Sequence, residues 1–506
     1  MIIMKAALVS LVIGACIANA RSNSSVLFSG GTVIAWDDLT EDLQLIRNGS
    51  VLVTGDSIAA VVSGAYNGTL PTDTEVIDIT GDIITPGFID THRHGWQTAY
   101  KTIASNTTLS QYLLRYGEFA SDGLWTPEQV YISQLAGLYE ALNAGVTTML
   151  DHAHNTWSNE TTQAGLDATL DSGARVVWCP AIHNVTNFTF ADQIAKFKSL
   201  AEGDLFADTP VTLGLAYDGF NPGSPEQTAQ VVELALKYKP AVITTHTLQG
   251  VWGANNSPED LQNLGILNTS IPIVFSHGSF LSPTGAQLLR GANQFVSITP
   301  ESEMHYGHDH PHSHLIQDQA ALGVDTHFTY STDVLTQARI WLQSVRQTLY
   351  RAVLDTWQVP STNPMSVVQA FLLATRQGGL ALRRPDLGVI REGAKADVVV
   401  WNGRSPGMLG WVDPVAAVIL HANVGDIKHV MVNGVFQKRS GSLTVENYPE
   451  IQERFLKAAR DIQEVFRNIP YPATEGEYFT FGWRLQPTMR VDVERGEGDG
   501  YGEVYV

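Results

Sequence analysis

Hydrophobic and polar positions alternate in three different ways along the chain. Residues 26–85 are short apolar runs separated by turn signals such as Gly55-Asp56, which predicts a small β module. From Thr85 onward, short continuous apolar runs alternate with helical segments, as is typical of buried parallel strands joined by helices. After about residue 385 the β pattern returns, and residues 447–468 have the apolar spacing of an amphipathic helix.

The middle part contains the most regular repetition. One helix begins clearly, with Thr126 as N-cap, Pro127 at the first helical position and Gln129 completing a capping box. Eight apolar runs predict strands: Phe88–Asp90, Val146–Asp151, Arg175–Cys179, Thr212–Tyr217, Val242–Thr245, Ile273–Ser276, Phe295–Thr299 and Phe328–Thr332. This alternation predicts an α/β fold, a (β/α)8 barrel of the TIM type, with a small composite β-sandwich domain formed by both chain ends.

The expected organisation has five segments. They are a signal peptide (1–20), the first part of the β-sandwich (21–85), a metal-binding barrel (86–385), the second part of the β-sandwich (386–445), and a C-terminal helix and tail (446–506). Lys5, the apolar run Ala6–Ala18 and the small residues Ala18 and Ala20 are typical of a secretory signal peptide. Glycosylation sequons begin at Asn23, Asn48, Asn67, Asn106, Asn159, Asn184, Asn187, Asn255 and Asn268. We therefore expect a secreted glycoprotein.

Composition narrows the range of partners. The formal net charge is −20 at pH 7, so the surface repels phosphate backbones and anionic membranes. We expect a small-molecule substrate and neither a nucleic acid nor a membrane partner, while homo-oligomerisation stays open. Only 2 cysteines are present, which is too few for a disulfide framework, but the 15 histidines are numerous and unevenly placed.

Potential metal ligands follow several of the predicted strands. His92 and His94 end the first strand, and residues two apart in a strand point to the same side. His246, His277 and Asp333 end the fifth, sixth and eighth strands. Since the carboxyl ends of barrel strands meet at one face, these side chains are expected to converge. Three or four imidazoles with one carboxylate suit zinc or iron(II).

Three segments carry a resemblance to a known family. The segment Thr85–His94, TPGFIDTHRH, resembles the opening metal motif of the amidohydrolase superfamily. The segment Gly388–Val400 resembles that superfamily's return into its β module, and Val430–Gly434 resembles its closing strand turn. The similarity covers roughly residues 26–440, and the most similar branch is that of cytosine deaminase and the triazine hydrolases.

The resemblance implies a role for each matching residue. It makes His92, His94, His246 and Asp333 metal ligands, and Asp333 also accepts the proton of the attacking water. His277 would contact that water or the developing oxyanion. Two-metal members carry a carboxylated lysine at the end of the fourth strand, whereas Leu213–Asp218 contains no lysine. We therefore expect one divalent ion, Zn²⁺, with Fe²⁺ as the alternative.

One position departs from the branch. Its deaminases have a glutamate shortly after the fifth-strand histidine, and this chain has Gln249, which cannot deliver a proton as a carboxylic acid can. Glu301 and Glu303 follow the seventh strand and could replace it, and we favour Glu303 as a catalytic residue.

Residues beside the metal motifs are candidates for substrate binding. These are Gln97, His154, Gln249, His305 and His308. His305 and His308 belong to a histidine-rich loop that continues with His310, His312 and His314, and a solvated polar loop or a second metal site are the other interpretations of it.

The sequence thus predicts an amidohydrolase-type, metal-dependent hydrolase. It would use activated water to break a non-peptide C–N bond, or a similar bond, in a small cyclic or amide-like substrate. One alternative is a metal-dependent lyase, dehydratase or decarboxylase of secondary metabolism, and a second is a catalytically inactive binding protein.

Overall fold

The computed structural model describes residues 25–221, 223–308, 313–474, 476–480 and 483–491. The predicted signal peptide, His310 and His312 lie outside these residues, and secretion stays a prediction. Seven sequon asparagines within the described ranges are exposed: Asn48, Asn67, Asn106, Asn159, Asn184, Asn187 and Asn268. Across the same ranges, each helix is too short or too polar to cross a bilayer.

The elements alternate as the sequence predicts. The strands are β1 (Ser25–Asp37), β2 (Asp42–Thr54), β3 (Ser57–Ser63), β4 (Glu75–Asp78), β5 (Ile83–Pro86), β6 (Phe88–Arg93), β7 (Val146–Ala153), β8 (Arg175–Pro180), β9 (Thr212–Leu213), β10 (Leu215–Ala216), β11 (Ile243–Leu248), β12 (Ile273–Ser279), β13 (Phe295–Ile298), β14 (Ala320–Leu322), β15 (Val398–Trp401), β16 (Ile427–Val432), β17 (Val435–Arg439), β18 (Ser442–Leu443), β19 (Gly476–Thr480) and β20 (Trp483–Thr488).

The α-helices are α1 (Leu109–Arg115), α2 (Glu118–Ser121), α3 (Pro127–Asn143), α4 (Asn159–Asp171), α5 (Phe190–Glu202), α6 (Pro225–Tyr238), α7 (Pro258–Asn263), α8 (Pro283–Ala292), α9 (Pro300–Tyr306), α10 (Val334–Leu354), α11 (Val367–Ala374), α12 (Arg376–Ala381), α13 (Pro414–Ala416) and α14 (Tyr448–Asn468). Short 3-10 or π turns span Gly95–Tyr100, Gly250–Trp252, Ser313–Leu315, Gln317–Gln319, Ala417–His421 and Val424–Asp426.

Both chain ends contribute to one sheet of nine strands. Its order is β18-β17-β16-β15-β5-β1-β2-β3, with β4 pairing against β1. The two ends meet where β15 runs antiparallel to β5, pairing Val398 with Pro86. The hairpin between β2 and β3 turns at Gly55, whose φ of 59° is the left-handed region that glycine enters at little cost.

The middle of the chain forms two parallel sheets flanked by helices. Their orders are β6-β7-β8-β9 and β10-β11-β12-β13-β14. Gly214 separates β9 from β10 at a close approach, because a Cβ there would lie 2.2 Å from the Cys179 sulfur. An isolated parallel bridge pairs Ala181 with Ala216, and another pairs Arg93 with Asp325. The α/β class with an additional β domain is confirmed, whereas the domain boundaries stay predictions.

One predicted strand is wrong. Residues Phe328–Thr332 form turns rather than a strand, and the last parallel strand is β14, which lies earlier in the chain. Strand β14 has only three residues, and it pairs with β13 through Val296 and Ala320. This displacement changes which aspartate reaches the carboxyl ends of the strands.

Candidate active site

Four histidines converge at the carboxyl ends of the parallel strands. His92 and His94 come from the end of β6 and the residue after it, His246 from β11, and His277 from β12. The ring centroids of His92 lie 4.8, 4.9 and 5.2 Å from those of His94, His246 and His277. The structure therefore brings together all four histidines that the strand ends predict.

Each of these imidazoles has a partner at Nδ1. The His92 Nδ1 lies 2.8 Å from the Ser276 hydroxyl, and the His94 Nδ1 lies 2.9 Å from the carbonyl oxygen of His152. The His246 Nδ1 lies 2.8 Å from Asp218 Oδ2, and the His277 Nδ1 lies 2.9 Å from the Thr299 hydroxyl. These contacts at Nδ1 fix the orientation of each ring and leave its Nε2 available to bind a metal ion.

Asp325 supplies the carboxylate of the cluster. Its Oδ1 lies 3.1 Å from Nε2 of His94 and 3.4 Å from Nε2 of His92, while its Oδ2 accepts a hydrogen bond from Ser302. Asp90 supports this arrangement from below, because its Oδ1 accepts the backbone N–H groups of His92 and Val324. The carboxylate thus reaches the histidines from the loop after β14.

The prediction that Asp333 is the metal ligand and base is wrong. Asp333 is the N-cap of α10, where its carboxylate accepts the backbone N–H and the hydroxyl of Thr336. A second hydroxyl, that of Ser331, also bonds to it. These three local hydrogen bonds satisfy the Asp333 carboxylate at the helix N-terminus, and Asp325 occupies the place expected for it.

The donor set fits a divalent cation. His92, His94 and His246 form one group whose ligand atoms lie within 4.8 Å of one another, and His92, His277 and Asp325 form another. The His94 Nδ1 faces a carbonyl, which can only accept, so in the neutral ring the Nε2 lone pair faces the Asp325 carboxylate. Burial lowers the pKa of His277 to about 3, and it lowers that of His92 well below its usual value. Imidazole lone pairs and a carboxylate that face one another are the donor arrangement that a divalent cation binds.

Two residues of the cluster have strained backbones. His277 has a φ of 71° and Asp325 a φ of 62°, values that non-glycine residues adopt at a cost of roughly 1–3 kcal/mol each. Such strain concentrates where a side chain must be held in a functional position. It is consistent with both side chains being aimed at the cluster.

Asp218 holds His246 from behind. Its Oδ1 accepts the backbone N–H of His246 at 2.7 Å, and its Oδ2 accepts the Nδ1–H at 2.8 Å. The His152 Nε2 lies 3.3 Å from the same Oδ2, so His152, Asp218 and His246 form a third compact group. Burial disfavours charge on His246, but Asp218 outweighs this and raises its pKa to about 9.

The cluster opens into a cavity of about 500 Å³. His94, His246, His277 and Asp325 form its floor. Aromatic side chains contribute to its walls, among them Tyr112, Phe119, Phe190 and Trp252. The volume lies within the range of small-molecule sites.

The predicted substrate-binding residues divide into two groups. His154 and His308 line the cavity, and the ring of His308 lies 4.7 Å from that of His277. Gln97, Gln249 and His305 are not among its lining residues. Gln97 instead donates to the Tyr112 hydroxyl, Gln249 bonds through its backbone N–H to Ser279, and His305 packs on Tyr306. Direct substrate contact by these three is therefore not supported.

Glu303 also lies away from the cavity. Its Oε1 accepts the backbone N–H of Thr299 at 2.8 Å and lies 3.6 Å from the His277 Nδ1. It is buried behind His277 and outside the cavity wall. The prediction that Glu303 delivers a proton directly to substrate is thus wrong in its geometry, since this carboxylate faces the rear of the His277 ring.

The sequence patterns do not single out several residues of the site. Asp325 follows a strand too short to be predicted, and Asp218 ends the stretch Leu213–Asp218, whose lack of a lysine is its only predicted feature. Glu118 and His183 line the cavity from a loop-helix segment and from the turn after β8. Asp218 was detectable as a carboxylate at a strand end, whereas no spacing pattern marks Glu118 or His183.

Comparison with known proteins identifies the family. Residues 83–436 match the model of the amidohydrolase family. A 5-methylthioadenosine/S-adenosylhomocysteine deaminase of Pelotomaculum thermopropionicum is 24% identical over 438 residues, which are 82% of this chain and 94% of that protein. A 5'-deoxyadenosine deaminase of Methanothermobacter thermautotrophicus is 24% identical, covering 87% and 99% of the two chains.

Solved structures agree with this. The zinc complex of atrazine chlorohydrolase from Arthrobacter aurescens superposes with a TM-score of 0.74 at 19% identity, covering 86% of this chain and 100% of that one. An adenosine deaminase from Xanthomonas campestris with bound zinc gives 0.72 at 17% identity, covering 88% and 99%.

The fold and the site define a metal-dependent hydrolase. The chain belongs to the amidohydrolase family, because the family model matches most of its length. The predicted class, an amidohydrolase-type enzyme that acts on carbon–nitrogen bonds, is confirmed by this family match.

Proposed function

We propose that this protein hydrolytically displaces a nitrogen substituent from a small nitrogen-containing ring. The observation that carries the proposal is the convergence of His94, His246, His277 and Asp325 at the floor of a cavity with aromatic walls, with His92 buried directly behind them. The similar deaminases act on purine nucleosides by name, and the similar chlorohydrolase acts on a triazine, so a heterocycle is the shared substrate chemistry.

We propose that one Zn²⁺ ion is held by Nε2 of His92, His94 and His246 and by Asp325 Oδ1. When bound, such an ion polarises a water molecule and lowers its pKa towards neutrality. Asp218 supports a single ion because it occupies the His246 Nδ1 with a hydrogen bond, which leaves one nitrogen of that ring for metal. The stretch Leu213–Asp218 contains no lysine to bridge a second ion.

The side chains around this position are placed to take up the proton of the attacking water and to orient that water. Asp325 is placed to accept a proton from the attacking water, since Oδ1 faces the cluster while Ser302 holds Oδ2. The Thr299 hydroxyl donates to Glu303 and therefore accepts from Nδ1 of His277, so Nε2 of the neutral ring is left to accept a hydrogen bond from the water. Thr299 and Glu303 orient that ring from behind.

We also propose that the two parallel sheets close into one (β/α)8 barrel. The Arg93–Asp325 and Ala181–Ala216 bridges support this, since they join the two sheets on both sides. For the composite sheet we propose a β-sandwich. Phe28 and Val51 from one chain end share an apolar core with Val400 and Met431 from the other.

Metal removal tests the function. Chelation should abolish turnover of an aminated purine or triazine, and adding one equivalent of Zn²⁺ should restore it. Reaction in H₂¹⁸O should place ¹⁸O in the ring product, which a lyase or decarboxylase would not do. Undiminished turnover by protein shown by elemental analysis to be metal-free would overturn the proposal.

A further inference from the structure

The cavity has a second polar group away from the four histidines. Glu118, the first residue of α2, lies between His154, which follows β7, and His183, which follows β8. The Glu118 Oε2 lies 3.6 Å from Nε2 of His154, and its Oε1 lies 3.6 Å from Nδ1 of His183. The ring centroid of His154 is 4.0 Å from that of His94, so this group lies one imidazole beyond the metal cluster.

Hydrogen bonds fix the tautomers of both histidines. The Trp96 indole N–H donates to Nδ1 of His154 at 2.9 Å, so a neutral His154 carries its hydrogen on Nε2, towards Glu118. The Thr156 hydroxyl donates to the carbonyl of Ala181 and therefore accepts from Nε2 of His183. Consequently a neutral His183 presents the lone pair of Nδ1 to Glu118.

This leaves two acceptors facing each other. The His183 Nδ1 is buried and without a hydrogen-bond partner, and it faces Glu118 Oε1 at 3.6 Å. Buried polar atoms are normally paired, so the gap between them calls for a hydrogen-bond donor. The side chain of Glu118 is 19% exposed, and it faces the cavity, from which such a donor can enter.

The rest of the cavity has a matching charge. Its described lining residues include Glu118, Asp218 and Asp325 but neither lysine nor arginine. Anionic ligands therefore find no lysine or arginine among the described lining residues, whereas a planar cation or a ring with N–H groups finds carboxylate and aromatic faces.

We propose that Glu118 and His183 form a subsite that binds a nitrogen hydrogen-bond donor of the substrate, an amino, amidine or ring N–H group, at the end remote from the attacked carbon. The inference rests on the proposed function and specifies its substrate class as neutral or cationic nitrogen heterocycles. The Nε2–H of His154 faces the other carboxylate oxygen of Glu118 at 3.6 Å and completes the subsite on that side.

Binding measurements on the Zn²⁺-loaded protein test the subsite without requiring turnover. The probes are benzamidine, a planar cation with N–H donors, and acetophenone, which has nearly the same shape and no N–H group. The variants are Glu118→Gln and the matched control Glu128→Gln, which removes a surface carboxylate paired with Arg454. Calorimetry gives the affinities, and zinc content and melting temperature show whether each variant is folded and loaded.

We expect Glu118→Gln to weaken benzamidine binding about tenfold or more, since hydrogen bonds to charged groups are the strong ones. Acetophenone binding to Glu118→Gln, and benzamidine binding to Glu128→Gln, should match the unmodified protein.

Equal benzamidine affinity in all proteins, no benzamidine binding to the unmodified protein, or equal weakening of both probes would overturn the subsite. Loss of zinc dependence with this binding pattern intact would instead count against the proposed function. If Glu118→Gln does not fold, Glu118→Asp is the second variant, because its shorter side chain keeps the negative charge but moves it away from the ligand. It should weaken benzamidine binding by less than the glutamine substitution would, and unchanged benzamidine binding would overturn the subsite.

Discussion

Two aspartates only eight positions apart have different tasks in this chain. Asp325 faces the imidazoles of His92 and His94, whereas Asp333 is turned into the first turn of α10. Both end an apolar stretch in the sequence, so residue type alone cannot separate them. What separates them is the set of hydrogen bonds each makes, and these can be changed one at a time.

Substituting asparagine at the two positions should therefore change zinc binding at one of them only. Asp325→Asn removes the anionic ligand, and we expect zinc affinity to fall at least about 100-fold and turnover to be lost. Asp333→Asn keeps a good N-cap residue, and we expect unchanged zinc content and a stability within about 0.5 kcal/mol. Zinc titration and thermal unfolding measure the two effects, and zinc loss in Asp333→Asn alone would contradict the assignment.

Much of the site could be predicted because histidines end clear strands. His92, His94, His246 and His277 each follow an apolar run long enough to recognise, and a parallel fold brings such ends together. Glu118 and His183 could not be found this way. Their proximity depends on how a four-residue helix and a turn pack over the carboxyl ends of the parallel strands, and one sequence carries no periodic signal for that.

At the scale of elements, local signals were reliable where capping fixes an end. Helix α3 begins at Pro127 with the Thr126–Gln129 capping box that the sequence indicates. Strand β14 was missed because three small or apolar residues, Ala320–Leu322, do not form a recognisable run. The later stretch Phe328–Thr332 has the composition of a strand but follows the last parallel strand as turns.

Helix α14 packs through one apolar face on the segment that follows β6. Ile462 is 1% exposed and packs in a cluster with Trp96, Tyr100 and Phe466. Replacing Ile462 with alanine removes buried methyl groups and leaves a cavity, so we expect a loss of about 2–5 kcal/mol in the free energy of unfolding. Urea unfolding followed by tryptophan fluorescence measures this loss.

The same helix provides the control for that prediction. Leu456 is 45% exposed, and its replacement with alanine should change stability by no more than about 0.5 kcal/mol. Similar losses in the two variants would mean that α14 is not held by its buried face.

At the scale of the whole molecule, the β domain and the parallel sheets are joined by a buried ion pair. Arg175, at the start of β8, donates through Nε and Nη2 to both carboxylate oxygens of Asp397, at 2.8 and 3.0 Å. Asp397 also accepts the backbone N–H of Asn433, which precedes the β17 strand. The segment Gly388–Val400, which returns the chain into the β domain, thus supplies the carboxylate that fixes this domain against the parallel sheets.

Removing this carboxylate should be costly because it leaves a buried guanidinium unpaired. The Arg175 and Asp397 side chains are 8% and 3% exposed, and we expect Asp397→Ala to lower the free energy of unfolding by about 3–5 kcal/mol. Asp318→Ala breaks the exposed pair with Arg290, whose side chains are 43% and 57% exposed, and it should cost at most about 1 kcal/mol. Denaturant unfolding of both variants compares the two pairs. Equal small losses would show that this ion pair does not hold the β domain against the parallel sheets. The expected difference assigns Asp397 a structural role in the motif by which the sequence resembles its family.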